Sequence, residues 1–192
     1  MPATWFARPA PDVARTLIGT TLTWCGCGGM VVETEAYAPD DPASHSFTGP
    51  SARNAAMFGP AGRVYVYRSY GIHLCLNVTC GEGHAVLIRA IAPELGLSAM
   101  VLRRGTDRAR HIASGPGRLG QALGVTLADN HRPFDKPDFC FLPGPPARVV
   151  TGPRIGITRA TDRLWRFGLA GSPYLSRPFP QGSADPGDLE TH

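Results

Sequence analysis

The stretch YVYRSYGIHLCLNV, Tyr65 to Val78, constrains the fold more than any other part of the chain. Two alternating runs joined by a short glycine-containing segment read as an antiparallel β-hairpin. Val64, Val66, Ile72, Leu74 and Leu76 form the face expected to enter the core. The opposite face carries Tyr65, Tyr67, His73, Cys75 and Asn77, with Arg68, Ser69, Tyr70 and Gly71 at the turn. Rings and an amide on one sheet face suit a planar aromatic ligand, because rings stack on its plane and polar groups read its edge. Tyr70, before Gly71, projects from the tip, where a side chain can wedge between stacked bases.

The rest of the chain supplies strands and helices without βαβ regularity, which indicates an α+β fold. DVARTLIG reads as a short helix capped by Asp12, with Val13, Ala14 and Leu17 inward and Gly19 at its end. TLTW and GMVVETEAY are strands flanking the CGCGG turn. Residues 38–62 show no period and form a long ordered loop or short turns. A loop of this length in a compact domain is usually functional. HAVLIRAIAP is a strand; PELGLSAMVLRRGTDRARHIA reads as one helix with Leu97, Met100 and Val101 on one side. SGPGRLGQALGV predicts a helix capped by Ser114, and RVVTGPRIGITRA and LWRFGLAG are closing strands. Residues 1–182 are expected to form one domain and the polar tail, 183–192, to fray.

The 192 residues are 43% hydrophobic, which places the chain among globular proteins. The opening residues lack the basic-then-apolar pattern of a secretory signal, and no apolar run is long enough to span a membrane. Five irregularly spaced cysteines fit reduced thiols in the cytoplasm better than a disulfide framework. The formal charge is +4, and Lys136 is the single lysine among 19 basic residues. Arginine suits phosphate because its fork binds two oxygens at once, although a genome-wide preference for arginine would give the same bias.

Three motifs bear on chemistry. GPGRLG, Gly115 to Gly120, matches the dinucleotide-binding pattern formally, but no buried strand precedes it and Pro116 sits inside the turn. A plain glycine-rich turn before a helix is favoured over a phosphate-receiving helix end. Cys25 and Cys27 are one residue apart with no second pair, which does not fit structural zinc. In VVETEAY, Glu33, Glu35 and Tyr37 share one strand face, and Val32, Thr34 and Ala36 take the other. Two readings stay open there: a solvated edge strand, or a general base at the floor of a cleft with His45 nearby on the following loop.

Taken together, VVETEAY, SHSFTGPSARNAAMFGPAGRVYVYRSYGIHLCLNV, VLIRAIAP and SGPGRLGQALGV resemble the mammalian-type 3-methyladenine (alkyladenine) DNA glycosylases. The match runs in order from about Leu17 to Tyr174. The resemblance implies a single mixed domain with a curved antiparallel sheet, surrounding helices and a protruding hairpin that enters the DNA minor groove. It implies a monofunctional enzyme of base excision repair that flips an alkylated or deaminated purine out of the duplex. The N-glycosidic bond is then hydrolysed by an activated water, leaving an abasic site. By motif position, Glu35 resembles the general base and Arg89 the arginine that helps hold the water. Tyr37, His45 and Tyr67 resemble the residues that sandwich or hydrogen-bond the base. Asn77 resembles the asparagine that discourages normal guanine, and Tyr70 the intercalating tyrosine. Arg68 and Ser69 stand where apolar residues are common in vertebrate members. The implied partner is double-stranded DNA containing damaged purines, met by a monomer in the bacterial cytoplasm at the nucleoid, with no membrane and with neither metal nor other cofactor.

Two rivals belong to other classes. A non-catalytic nucleic-acid-binding module would keep the arginines and tyrosines but has no use for a buried acid. A carbohydrate hydrolase would use Glu33 and Glu35, about 7 Å apart on one strand face, which is an inverting separation. The tip tyrosine has no role there.

Overall fold

A computed structural model describes residues 1–180, so the expected frayed tail and the boundary at 182 lie outside the described residues. Eight strands form one antiparallel, strongly curled sheet: β1 (Thr21–Trp24), β2 (Cys27–Tyr37), β3 (Val64–Ser69), β4 (His73–Gly81), β5 (His84–Leu95), β6 (Phe139–Leu142), β7 (Val149–Gly152) and β8 (Arg166–Leu169). The order is β3-β4-β5-β2-β1-β6, with β8 added to β2 and β7 to β8. Among the described residues five α-helices surround the sheet: α1 (Ala3–Phe6), α2 (Ala10–Leu17), α3 (Leu97–Arg104), α4 (Ala109–Ile112) and α5 (Pro116–Leu123). The architecture is α+β, as expected. No helix of the described residues is long and apolar enough to cross a membrane.

The period-2 alternation divides the sheet. Val64, Val66, Leu76, Val78, Val86 and Ile88 join Phe6, Val13 and Leu17 of the helices in the main core. The opposite face carries Tyr65 and Ala85, packed with Ala56 and Met57. The hairpin pairs Tyr65 with Asn77, Tyr67 with Cys75 and Ser69 with His73. Ile72 departs from expectation: it lies in the turn, 71% exposed, because the strands close at Ser69 and His73. Tyr70 and Gly71 both take positive φ, 49° and 74°. This conformation presents Tyr70 outward, 86% exposed.

Several sequence expectations are corrected. Asp12 does not cap α2; the helix begins at Ala10 behind Pro9, and Asp12 sits in its first turn, where a carboxylate interacts favourably with the helix dipole. The stretch from Pro93 is not one helix. It continues β5 to Leu95, and α3 then runs between Gly96 and Gly105, both left-handed, which separates it from α4. Ser114 does not cap α5; its hydroxyl turns back to the Arg110 carbonyl and Gly115 precedes the helix. FCFL, β6, was not expected as a strand. Four residues after a proline-rich loop give little periodic signal, and pairing with β1 decides it.

The GPGRLG glycines have a packing explanation. A Cβ at Gly117 would meet the His73 ring at 2.7 Å, and one at Gly120 would lie 2.1 Å from the Leu74 carbonyl oxygen. They let α5 lie directly on β4 and brace the hairpin. In an open helix Gly→Ala gains up to about 1 kcal/mol, but Gly120→Ala is expected to lose about 1–3 kcal/mol through overpacking. Urea unfolding would check this; an unchanged or raised midpoint would contradict the close approach.

Candidate active site

The polar face of the sheet is the floor of a pocket of about 400 Å³, within the roughly 300–1,000 Å³ of small-molecule sites. A cross-strand row runs Tyr65–Asn77–Leu87–Glu35–Arg166 through β3, β4, β5, β2 and β8. Tyr37, His45, Tyr67, Tyr70 and Arg89 also line the pocket. All seven residues singled out from the sequence therefore meet at one cavity. Glu33 does not line it.

β2 is a central strand and not a solvated edge, and both its glutamates are fully buried. Its register with β5 shifts on both sides of Glu33, leaving Val32 and Arg89 without opposite partners. Bulges of this kind re-aim side chains beside sites. Here Arg89 reaches both carboxylates: its Nε donates to Glu33 at 3.0 Å and one terminal nitrogen to Glu35 at 3.2 Å. Glu33 also accepts from Arg166 Nε at 2.8 Å, the Ser176 amide at 2.5 Å and the Ser176 hydroxyl at 2.8 Å. With its acceptor sites used by these partners and no place in the pocket lining, Glu33 is a structural group, which removes the paired-glutamate hydrolase reading.

Glu35 accepts from three donors: Arg89, the Tyr37 hydroxyl at 2.9 Å and the Ile155 backbone amide at 2.7 Å. A carboxylate has about four acceptor sites, so one is left over for the cavity. Arg89 is held more firmly protonated than usual: burial opposes its charge, but Glu35 and Glu33 outweigh that penalty. The phenols stay neutral. Burial, then Glu35, raises Tyr37 well above the ordinary range; burial also raises Tyr67, and pushes Tyr65 up to about 12.

The 38–62 loop forms one wall. It is ordered by contacts that no local pattern announces. Asp41 forms a fully buried ion pair with Arg154, whose guanidinium also lies 4.7 Å from the Tyr37 ring centroid and donates to the Ala36 carbonyl. Asn54 donates to the His45 carbonyl at 2.7 Å. His45 Nδ1 meets the Tyr65 hydroxyl at 2.8 Å, and its ring stands edge-on to Tyr67 at 4.6 Å. Asn77 spends both amide hydrogens on the Tyr65 and Cys75 carbonyls, so its orientation is set by the hairpin backbone. The sequence reading missed Ile155, Arg154, Asp41 and Arg177. An arginine before a glycine-rich closing segment was visible at 154, but not its partner 113 residues away. Among the described residues, no cluster of three or more His, Cys, Asp or Glu is arranged to hold a metal ion.

Burial first, then the charge of Arg53, lowers the His45 pKa below its usual 6.5. Its neutral form is thus favoured in the fold, and its contribution to stability is lost as pH falls from about 6.5 through the lowered folded value. NMR titration of the ring should give a midpoint below 6.5, and Arg53→Ala should move it upward. A midpoint at or above 6.5 in the unaltered protein would contradict this environment.

Known proteins resemble this chain along most of its length. The family model for methylpurine-DNA glycosylase (MPG) matches residues 4–173. A Rhizobium etli protein named "Putative 3-methyladenine DNA glycosylase" is 55% identical over 91% of this chain and 88% of its own. A Nitrosospira multiformis protein of the same name is 56% identical over 94% and 95%, and one from Agrobacterium fabrum 54% over 93% of each.

Proposed function

Because the chain belongs to the methylpurine-DNA glycosylase family, hydrolases that cleave N-glycosyl bonds in DNA repair, we propose that it acts on double-stranded DNA by flipping an alkylated or deaminated purine into this pocket. A base inside a duplex is closed to attack, so extrusion comes first. Tyr70 fills the gap left in the stack, with its exposed neighbour Ile72 beside it against the groove. The damaged purine lies among Tyr37, His45 and Tyr67. Their neutral rings favour an electron-poor or cationic base through cation–π attraction. Asn77, held by two backbone carbonyls, offers a fixed edge that crowds the exocyclic amino group of normal guanine.

The bond to the sugar is already weak in an alkylated purine. Glu35 orients a water through its remaining acceptor site, takes its proton as the water adds to the sugar carbon, and stabilises the cationic character of that carbon. Arg89 helps hold the water and donates a hydrogen bond to Glu35. The observation that carries this reading is the buried Glu35, fixed by three donors and facing a pocket of neutral rings. A non-catalytic binding module has no need of so costly a group.

Glu35→Gln keeps the shape but cannot take the proton. Single-turnover excision of hypoxanthine or ethenoadenine is expected to fall about 10²–10⁴-fold, with lesion binding kept within about threefold, or 0.7 kcal/mol. Excision surviving within threefold would remove Glu35 as the base.

A strand-nicking glycosylase needs an amine nucleophile. Lys136 bridges to Phe139, and the Met1 ammonium donates to the Phe141 carbonyl, both at β6 on the far edge of the sheet from β3. Neither lines the pocket. The product is therefore an intact abasic site. Incubation with a lesion duplex and borohydride should give no covalent protein–DNA adduct; a strong adduct with strand cleavage before alkali would overturn the water mechanism.

A further inference from the structure

Of the two described arginines that line the pocket, Arg89 is held by Glu33, Glu35 and Ser176, and Arg177 has no such partners among the described residues. Arg177 is exposed at the mouth, and among the described residues nothing engages its guanidinium. Its backbone, in contrast, is held on every side. The preceding Ser176 gives both its amide and its hydroxyl to Glu33. The buried Arg166 donates to the Arg177 carbonyl at 2.5 Å and to the Pro178 carbonyl at 3.4 Å, and its guanidinium lies 3.9 Å from the Phe179 ring centroid. Phe179 beds into a cleft that exists because two strand residues are glycines: a Cβ at Gly168 would lie 2.5 Å from its ring and one at Gly152 2.9 Å.

A solvated arginine on a loose segment would need none of this. Here two buried polar side chains, Glu33 and Arg166, and two glycines fix the segment, and among the described residues the unengaged group they leave at the pocket mouth is the Arg177 guanidinium. Its position suits a ligand that is anionic and stays outside while the base goes in. From this we infer that Arg177 is a phosphate-binding residue: it grips a backbone phosphodiester next to the flipped nucleotide and holds the sugar over Glu35. The inference rests on the proposed glycosylase reading. The planar fork can engage two phosphate oxygens, and a pinned backbone reduces the ordering cost of that contact. Arg177 is a binding and positioning residue, since it reaches the phosphate and not the reacting carbon.

Binding is measured to a duplex containing 2′-fluorodeoxyinosine, which resists cleavage, at 50 and 200 mM salt. One phosphate contact changes the slope of log K against log salt by about 0.9, so the affinity advantage of the unaltered protein over Arg177→Ala should shrink about threefold across that range. Arg177→Lys should keep the slope. Methylphosphonate replacement of a single phosphate flanking the lesion should erase the difference between protein and variant, and replacement several nucleotides away should not. Because Arg177 is exposed, circular dichroism should be unchanged. If the unaltered protein prefers the lesion duplex but Arg177→Ala binds with equal affinity and slope, this inference falls alone. The same holds if its loss is identical on every neutralised duplex. If the unaltered protein shows no preference for the lesion, the glycosylase reading falls and this inference with it.

Discussion

The fold is built around one requirement: two carboxylates inside the sheet must each be given partners. Glu33 and Glu35 are fully buried two residues apart on the central strand β2. The effective penalty for burying an ion is several kcal/mol even after relaxation, and two like charges add their mutual repulsion. The fold offsets this with donors from four distant segments: Arg89 on β5, Arg166 on β8, the Ile155 amide and Ser176. Removing one partner would leave an uncompensated charge, which costs more than the pair is worth. Forming the site and closing the domain are thus one event. β8 and the segment after it supply Arg166 and Ser176, the partners that Glu33 has besides Arg89.

The two glutamates divide the work by what surrounds them. Glu33 accepts four hydrogen bonds, about as many as a carboxylate has acceptor sites, and does not line the pocket, so it serves as an anchor. Glu35 faces a cavity and keeps an acceptor site. Their difference comes from Arg166 and Ser176, which bind Glu33 alone, whereas Arg89, unpaired at the bulge, bonds to both. Around them the sheet uses its pleat to separate tasks. One face packs aliphatic side chains against helices, and the other holds neutral rings, an amide and a thiol around a ligand-sized space. Burial keeps the phenols protonated, so they stack and donate without competing for positive charge.

The wall of the pocket follows a different rule from its floor. Residues 38–62 hold little regular structure beyond one turn of 3-10 helix, Ala55–Phe58, yet they are fixed by the Asp41–Arg154 pair and by Asn54. Arg154 also packs on Tyr37 and precedes Ile155, whose amide holds Glu35. One side chain thereby ties the loop, an aromatic wall and the reactive carboxylate together.

What the chain determined by itself was the set of faces. Alternation in β2, β3 and β4 assigned Glu35, Tyr37, Tyr65, Tyr67 and Asn77 to polar faces, because side-chain direction along a strand has a period of two whatever the fold. Tyr70-Gly71 marked the tip for an equally local reason. Local pattern erred where tertiary contacts compete with it. Ile72 alternated correctly but fell in the turn, Ser114 and Asp12 looked like caps but found other places, and β6 is a strand because β1 is beside it. The tertiary structure alone decided which polar faces meet, that β2 is central, and that Glu33 is an anchor. It also decided that Arg154, Ile155 and Arg177 reach the site. The physical reason is the neutralisation of buried charge: it acts across more than a hundred residues of chain, and no spacing in the sequence records it.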